Sequence, residues 1–279
     1  MTPRVSVVVP AYNNAAYVAA TLDSILAQDY PDYELVVADH SSTDATAQVL
    51  ERYVSHPKVR VLSPTPAGGG ALANWNRVSQ HARGALLKLV CGDDLVAPSL
   101  LGEQVAALDA NPGVVLVACS RDLVDATGRT VIRDRGLAGL DGRVSGADAL
   151  RATVRAGTNI FGEPGCVLFR RDLLEREGGW DSTWPYLIDQ ATYARILLHG
   201  DMVALRRPLA SFRISAGQWS VRLIGQHAGQ SRAFHRWLRE SRPDLLTGGD
   251  VMLGDARAMG MGIARRAAYL WLRRRMQPA

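Results

Sequence analysis

The chain has 279 residues, 47% hydrophobic and 21% charged, enough for one large domain with a small appendage and incompatible with wholesale disorder. Its net charge of +5 is unevenly spread, because residues 206–279 carry 14 Arg against 4 acidic residues while residues 1–205 are net −5. Cys91, Cys119 and Cys166 are too scattered for a disulfide framework or a zinc site, and no apolar run approaches the roughly 20 residues of a membrane span or the pattern of a secretion signal, so a cytoplasmic protein is expected.

In chain order, Arg4–Val9 is a β-branched run closed by Pro10, which predicts a buried strand. Asn13-Asn14 make a turn, and Val18, Leu22, Ile25 and Leu26 give 15–28 a helical period. Tyr33–Ala38 predicts a second buried strand ending at Asp39, and Ser42 or Thr43 is placed to cap a helix running through Val49 to Tyr53. Val59–Leu62 reads as a short third strand. A helix from about Ala71 to Ala82 then leads through Gly84 into a fourth strand, Ala85–Val90. Val114–Ser120 predicts another strand, the polar segment 121–143 a hairpin, and Asp189–His199 a helix. Beyond Ser215 the pattern is helical, with turns at Pro243 and Gly248-Gly249.

Short apolar strands alternating with helices predict a Rossmann-like α/β fold with a mostly parallel central sheet, flanking helices and a C-terminal helical extension. The expected division is 1–215 for the α/β domain and 216–279 for the basic extension. Ligands of such sheets bind outside the carboxyl ends of the strands. There the sequence places Ala11-Tyr12, Asp39-His40 and Gly92-Asp93-Asp94.

Each carboxylate has two readings at this level. Asp93-Asp94 is either a solvated turn or a site for a hard divalent cation, Mg²⁺ or Mn²⁺, which would cancel their mutual repulsion. Asp39 either caps the Ser41–Asp44 turn or accepts hydrogen bonds from a base or ribose. Asp189 is either a helix N-cap or a general base fixed at a helix start. Gly68–Ala73 formally fits a dinucleotide fingerprint, but it lies outside the first βα turn, which has no glycine. Serine-hydrolase elbow, zincin and P-loop motifs are missing from the sequence.

Four stretches in order, VSVVVPAYNNAAY (Val5–Tyr17), SILAQDYPDY (Ser24–Tyr33), ELVVADHSSTDAT (Glu34–Thr46) and NWNRVSQHARGALLKLVCGDD (Asn74–Asp94), resemble glycosyltransferase family 2 over about residues 4–215. The resemblance implies the GT-A fold and an inverting, metal-dependent transfer from a nucleotide-diphosphate sugar, with UDP the expected carrier, in bacterial surface polysaccharide or glycoconjugate synthesis. It implies that Pro10, Tyr12, Asp39, Asn76 and Asp93 bind the nucleotide sugar, that Asp94 ligates Mn²⁺ or Mg²⁺, and that Asp189 is the catalytic base, with Arg195 six residues on. His40 and Ile188 stand where the family usually has acidic residues. Glu163, Trp184 and Tyr186, beside Trp180, are candidates for the acceptor side, the acceptor being a glycan or a lipid-linked molecule. A sugar nucleotidyltransferase or a non-catalytic nucleotide-sugar binding protein on the same scaffold are the alternatives.

The tail places Arg257, Arg265, Arg266 and Arg273–Arg275 around Ile263, Tyr269, Leu270, Trp271 and Leu272. Three contacts are open to it: the domain itself, a second copy in a homodimer, or the inner face of a membrane. Nucleic acid is not expected, since no recognised binding motif accompanies the charge.

Overall fold

A computed structural model of the chain describes residues 2–215, 218–272 and 276, so Arg273–Arg275 of the basic tail lie outside the described residues. The first third alternates β1 (Val5–Ala11), α1 (Val18–Leu26), β2 (Tyr33–Asp39), α2 (Thr46–Glu51), β3 (Val59–Val61), α3 (Gly70–Gln80) and β4 (Leu86–Leu89). These strands pair in parallel in the order β3-β2-β1-β4, with β1 matched to β2 from Val5↔Tyr33 to Ala11↔Asp39. Val5, Val7, Val8 and Val9 are all buried, as a continuous apolar run must be when helices cover both faces of a sheet. Helix α1 buries Val18, Thr21, Leu22 and Ile25, the face its period prescribes.

The cap of α2 differs from expectation. Asp44 accepts the Thr46 N–H at 2.9 Å, whereas Ser42 bonds back to Asp39 and the Thr43 N–H goes to the Asn13 side chain at 2.9 Å. Ser42 and Thr43 therefore bind two loops together and leave the helix start to Asp44.

The chain continues through β5 (Leu95–Val96), α4 (Leu100–Asp109), β6 (Val114–Val124), β7 (Thr130–Arg135), β8 (Gly142–Val144), α5 (Gly146–Ala156), β9 (Val167–Arg170), α6 (Arg171–Arg176), α7 (Ile188–Leu197) and β10 (Asp201–Arg213). The sheet path runs β3-β2-β1-β4-β9-β6-β10-β5, with β7 on β6 and β8 on β10. The parallel character expected from the βαβ units holds through β4. Beyond it β9 pairs antiparallel with both β4 and β6, so the sheet is mixed. The expected hairpin in 121–143 is β6–β7.

Strand β10 has no counterpart in the sequence reading. Arg206, Arg207 and Pro208 interrupt its apolar pattern, and its register on β6 shifts on either side of Pro208, where a missing N–H is tolerated at an irregularity.

Past α8 (Trp219–Arg222), helices α9 (His227–Ser241) and α10 (Gly248–Leu272) form the extension. Phe234, Leu238, Leu245 and Leu246 belong to the same buried apolar cluster as the sheet. Helix α10 starts with a reciprocal cap, the Thr247 hydroxyl accepting the Asp250 N–H at 3.1 Å and Asp250 accepting the Thr247 N–H at 3.0 Å. It packs on α5 through glycines: a Cβ on Gly254 would meet the Val154 carbonyl oxygen at 2.3 Å, and one on Gly157, at φ +64°, would meet the Ala258 nitrogen at 2.5 Å. Arg155–Asp250 (2.7 Å) closes that contact. Among the described residues no helix is long and apolar enough to cross a membrane.

Candidate active site

The carboxyl ends of β1, β2 and β4 open onto a cavity of about 1160 Å³. Pro10, Tyr12, His40, Asp93, Glu163, Tyr186 and Asp189 all line it, so residues scattered over about 180 positions of sequence share one cavity. The sheet explains the first four, since strand ends in a parallel array face one side.

Two loops are interlocked at this edge. The Asn13 N–H donates to the Ser42 hydroxyl (2.8 Å), the Asn14 N–H to the Thr46 hydroxyl (2.8 Å) and the Ala15 N–H to Asp44 (3.0 Å). Asn13 and Ser41 take positive φ of 50° and 52°, a conformation that non-glycine residues hold only when the surroundings enforce it. Tyr12 remains 48% exposed with its ring 5.9 Å from that of His40, whose Nε2 meets the Gly68 carbonyl at 2.9 Å. An aromatic ring on a rigid turn, half open to the cavity, can stack a planar group.

Three expected site residues face elsewhere. Asp39 is buried and its carboxylate accepts the Ser42 N–H (3.0 Å) and hydroxyl, so it organises the turn, and His40 and Ser41 occupy the cavity wall in its place. Asn76 clamps Trp180, accepting its N–H at 2.9 Å and donating to its carbonyl at 3.2 Å. Trp184 is buried edge-on against Phe234 (5.7 Å) and against Trp237 (5.6 Å), in the packing between the sheet body and α9. Arg195 pairs with Asp181 (2.6 Å) and lies over Trp237, and no bond joins it to Asp189.

The acidic turn after β4 is tied to the end of β10. Asp94 accepts the Arg213 backbone N–H at 3.0 Å, the Arg213 Nε–H goes to the Asp93 carbonyl at 2.8 Å, and Gln218 donates to the Asp93 carboxylate at 2.9 Å. Arg213 is itself buried, its guanidinium 4.7 Å over the Tyr17 ring. Burial, and for Asp94 also the charge of Asp93, push both carboxyls above the usual range, Asp94 well above it. Asp93 reaches the cavity, whereas Asp94 lies just behind it.

Among the described residues no three His, Cys, Asp or Glu side chains form a cation cage. Two adjacent hard carboxylates, of which Asp93 reaches the cavity, are chemically suited to a divalent ion that would complete its shell with water and phosphate oxygens.

Asp189 stands at the first turn of α7. Its two carboxylate oxygens accept the Gln190 N–H (2.7 Å) and the Asn159 side-chain amide (2.9 Å). Burial pushes it up to about 7, with the Glu163 charge adding to the rise. Asn159 is itself fixed, donating to the Gly162 carbonyl at 2.9 Å and accepting the Phe161 N–H at 2.9 Å. Each carboxylate oxygen keeps a further lone pair, so the group can still take a proton.

Glu163 is held by Arg121, whose Nη2 donates to it at 3.0 Å, with a second contact from Nε. The Tyr186 hydroxyl accepts from Arg265 of α10 at 2.7 Å, and its ring stands 5.1 Å from His227, whose pKa burial lowers to about 4. The sequence does not single out Asn159, Arg213, Gln218 or His227 for the site, and it marks Arg265 only as part of the basic tail. Arg213 and Gln218 lie 119 to 125 residues from the acids they meet, and no local pattern reports such a pairing.

The model of the family described as Glycosyl transferase family 2 matches residues 6–178, more than half of the chain. The protein MT1568 of Mycobacterium tuberculosis is 29% identical over 231 residues, 80% of this chain and 70% of that protein. Poly(ribitol-phosphate) beta-N-acetylglucosaminyltransferase TarS of Staphylococcus aureus is 32% identical over 116 residues, 41% of this chain and only 20% of TarS. In structure, residues 1–349 of TarS in complex with UDP superpose with a TM-score of 0.68 at 20% identity, covering 91% of this chain and 70% of that one. The mannosyltransferase PcManGT from Pyrobaculum calidifontis, in complex with GDP-Man and Mn²⁺, gives 0.65 at 24% identity over 97% and 76%. These superpositions identify the GT-A fold, and the family match identifies the lineage: the chain belongs to glycosyltransferase family 2.

Proposed function

We propose that this protein moves a sugar from a nucleotide-diphosphate sugar to an acceptor hydroxyl with inversion, in the synthesis of a polysaccharide or glycoconjugate. The observation that carries the reading is that Asp93 and Asp189, whose carboxyl burial pushes up to about 7, line one cavity at the strand ends. The TarS complexes with UDP and UDP-GlcNAc and the PcManGT complex with GDP-Man support a uridine or guanosine carrier. In this reading residues 1–215 form the catalytic body, and 216–279 are the extension that closes the acceptor side.

Pro10 and the Tyr12 ring would hold the base, Asp93 on the cavity wall the nucleotide sugar, and Asp94 just behind it the cation. A divalent ion held there would supply positive charge against the diphosphate leaving group. The acceptor oxygen attacks the anomeric carbon while the bond from that carbon to the diphosphate oxygen breaks. The hydroxyl proton passes to a free lone pair of Asp189, and one displacement inverts the centre. Asn159 and the Gln190 N–H keep the carboxylate facing the acceptor. Tyr186 and Glu163 line the acceptor side.

The test is release of nucleoside diphosphate from UDP-, GDP-, dTDP- and CDP-sugars with Mn²⁺ and acceptor present. One carrier class should turn over, and Asp189→Asn should abolish turnover while leaving donor binding in place. Full activity of Asp189→Asn would remove Asp189 as the base. Metal-dependent donor binding without any turnover would favour a binding protein on this scaffold.

A further inference from the structure

The cavity's 1160 Å³ exceeds the roughly 300–1,000 Å³ of a pocket for one drug-sized ligand, which leaves room for an acceptor beside a donor. Part of its lining is apolar: Ile132, Phe212 and Ile214 on one side, and Met261, Ala264 and Ala268 of α10 on another. Ile132 is 41% exposed, so this apolar part reaches the surface.

The other face of α10 carries Met252, Met259, Ile263 and Leu270, exposed by 71, 50, 70 and 73%. At 100° per residue these four fall within about 40° of one another, and they span about 27 Å along the axis. The exposed Arg266 flanks this sector, about 20° beyond its edge. Exposed Arg232, Arg236 and Arg239 project from α9, which packs on α10, within the strongly basic 206–279 segment.

We infer that α10 is a wall with two working faces: the outer stripe rests on an anionic lipid surface, and the inner face admits a lipid-linked acceptor to the cavity. For the acceptor this rests on the transfer reading above; the docking itself does not. Charge selects the occupant. A second copy would bring another strongly basic segment against this one, whereas an anionic bilayer takes both the apolar stripe and the arginines. Arg265 ties the helix to the site. It sits on the inward side of α10 and bonds the Tyr186 hydroxyl (2.7 Å) and the Thr158 hydroxyl (2.7 Å), so a docked α10 is fixed against the loop that leads into Asp189.

The first test is co-sedimentation of the full chain, without donor, with phosphatidylcholine vesicles and with vesicles containing about a third phosphatidylglycerol. Binding should require the anionic lipid and weaken in high salt. Ile263→Glu with Leu270→Glu should reduce it at least tenfold, with melting temperature and nucleotide binding unchanged because both positions are exposed. No preference for anionic vesicles, or undiminished binding of the double variant, would overturn docking. A concentration-dependent dimer that the double variant splits would assign the stripe to a second copy instead. For the acceptor, a panel of octyl glycosides should inhibit transfer at concentrations at least tenfold below those of the matching free sugars. Equal inhibition would overturn the lipid-linked acceptor and leave donor turnover untouched.

Discussion

Replacing Asp189 by Asn should abolish transfer and, at the same time, make the protein more stable above neutral pH. Burial raises this carboxyl from 3.8 to about 7, which corresponds to roughly 4 kcal/mol between its protonation states. The sign follows from linkage. Below pH 4 the carboxyl is protonated in both folded and unfolded chains and costs nothing. Between pH 4 and 7 the unfolded chain releases its proton first, so stability falls, and above 7 the full cost is present.

Asparagine is neutral throughout. Its amide cannot accept from both the Gln190 N–H and Asn159, and one mismatched bond subtracts about 1–2 kcal/mol. A net gain of about 2 kcal/mol is expected at pH 8, or roughly 4–8 °C in melting temperature for a chain of this size. Wild-type and variant melting curves from pH 4 to pH 9 measure it, since the other carboxyls cancel in the difference. A variant no more stable than wild type at pH 8, with no pH dependence in the difference, would refute the desolvated, proton-accepting Asp189 on which the mechanism stands.

Three further outcomes are expected. The rate of transfer at low substrate should rise with pH along a limb centred at about 7, the value for Asp189, and initial rates from pH 5 to pH 9 measure it. Nucleoside diphosphate with Mn²⁺ at a hundred times its dissociation constant should stabilise the fold by about 2.7 kcal/mol, and Asp94→Asn should remove the metal-dependent part of the melting shift. Asn74→Ala should cost about 2–4 kcal/mol in urea unfolding, because the buried Asn74 amide donates to the Ala11 and Ala38 carbonyls and its oxygen accepts the Thr65 hydroxyl, joining the ends of β1 and β2. A cost under 0.5 kcal/mol would show that water replaces those bonds.

The parallel half of the fold is legible because Val5–Val9, Tyr33–Ala38 and Leu86–Val90 are buried on both faces and therefore mostly apolar, with Ser6, Glu34 and Lys88 the polar exceptions. Helix α5 announces itself more quietly. Ser145 caps the Asp148 N–H and Gly157 ends the helix at positive φ, so a start and stop signal were present, but its apolar residues are few. Strand β10 was hidden by its arginines and proline. At the site, Tyr12, Asp93 and Asp189 of the motifs line the cavity, whereas Asp39, Asn76 and Trp184 turn away from it. A motif fixes where the backbone goes, whereas Ser42, Trp180 and Phe234 decide where those side chains turn. His40 in place of a second acid is the clearest case of a difference the structure makes concrete, since it fills the wall beside Tyr12 while Asp39 turns inward.

The bond from Arg213 to the acidic turn also sets an order of assembly. Asp93 and Arg213 are 120 residues apart, and β10 must enter the sheet between β6 and β5 before they meet. During synthesis, the half of the chain that carries the expected nucleotide contacts emerges long before that strand does. Until residue 213 is in place, two adjacent carboxylates lack the donors that let them be buried, and the turn must stay open to water. A nascent chain therefore has the parallel strands β1 to β4 before the acidic turn can close, and the non-local entry of β10, between β6 and β5, supplies the donors that let that turn be buried.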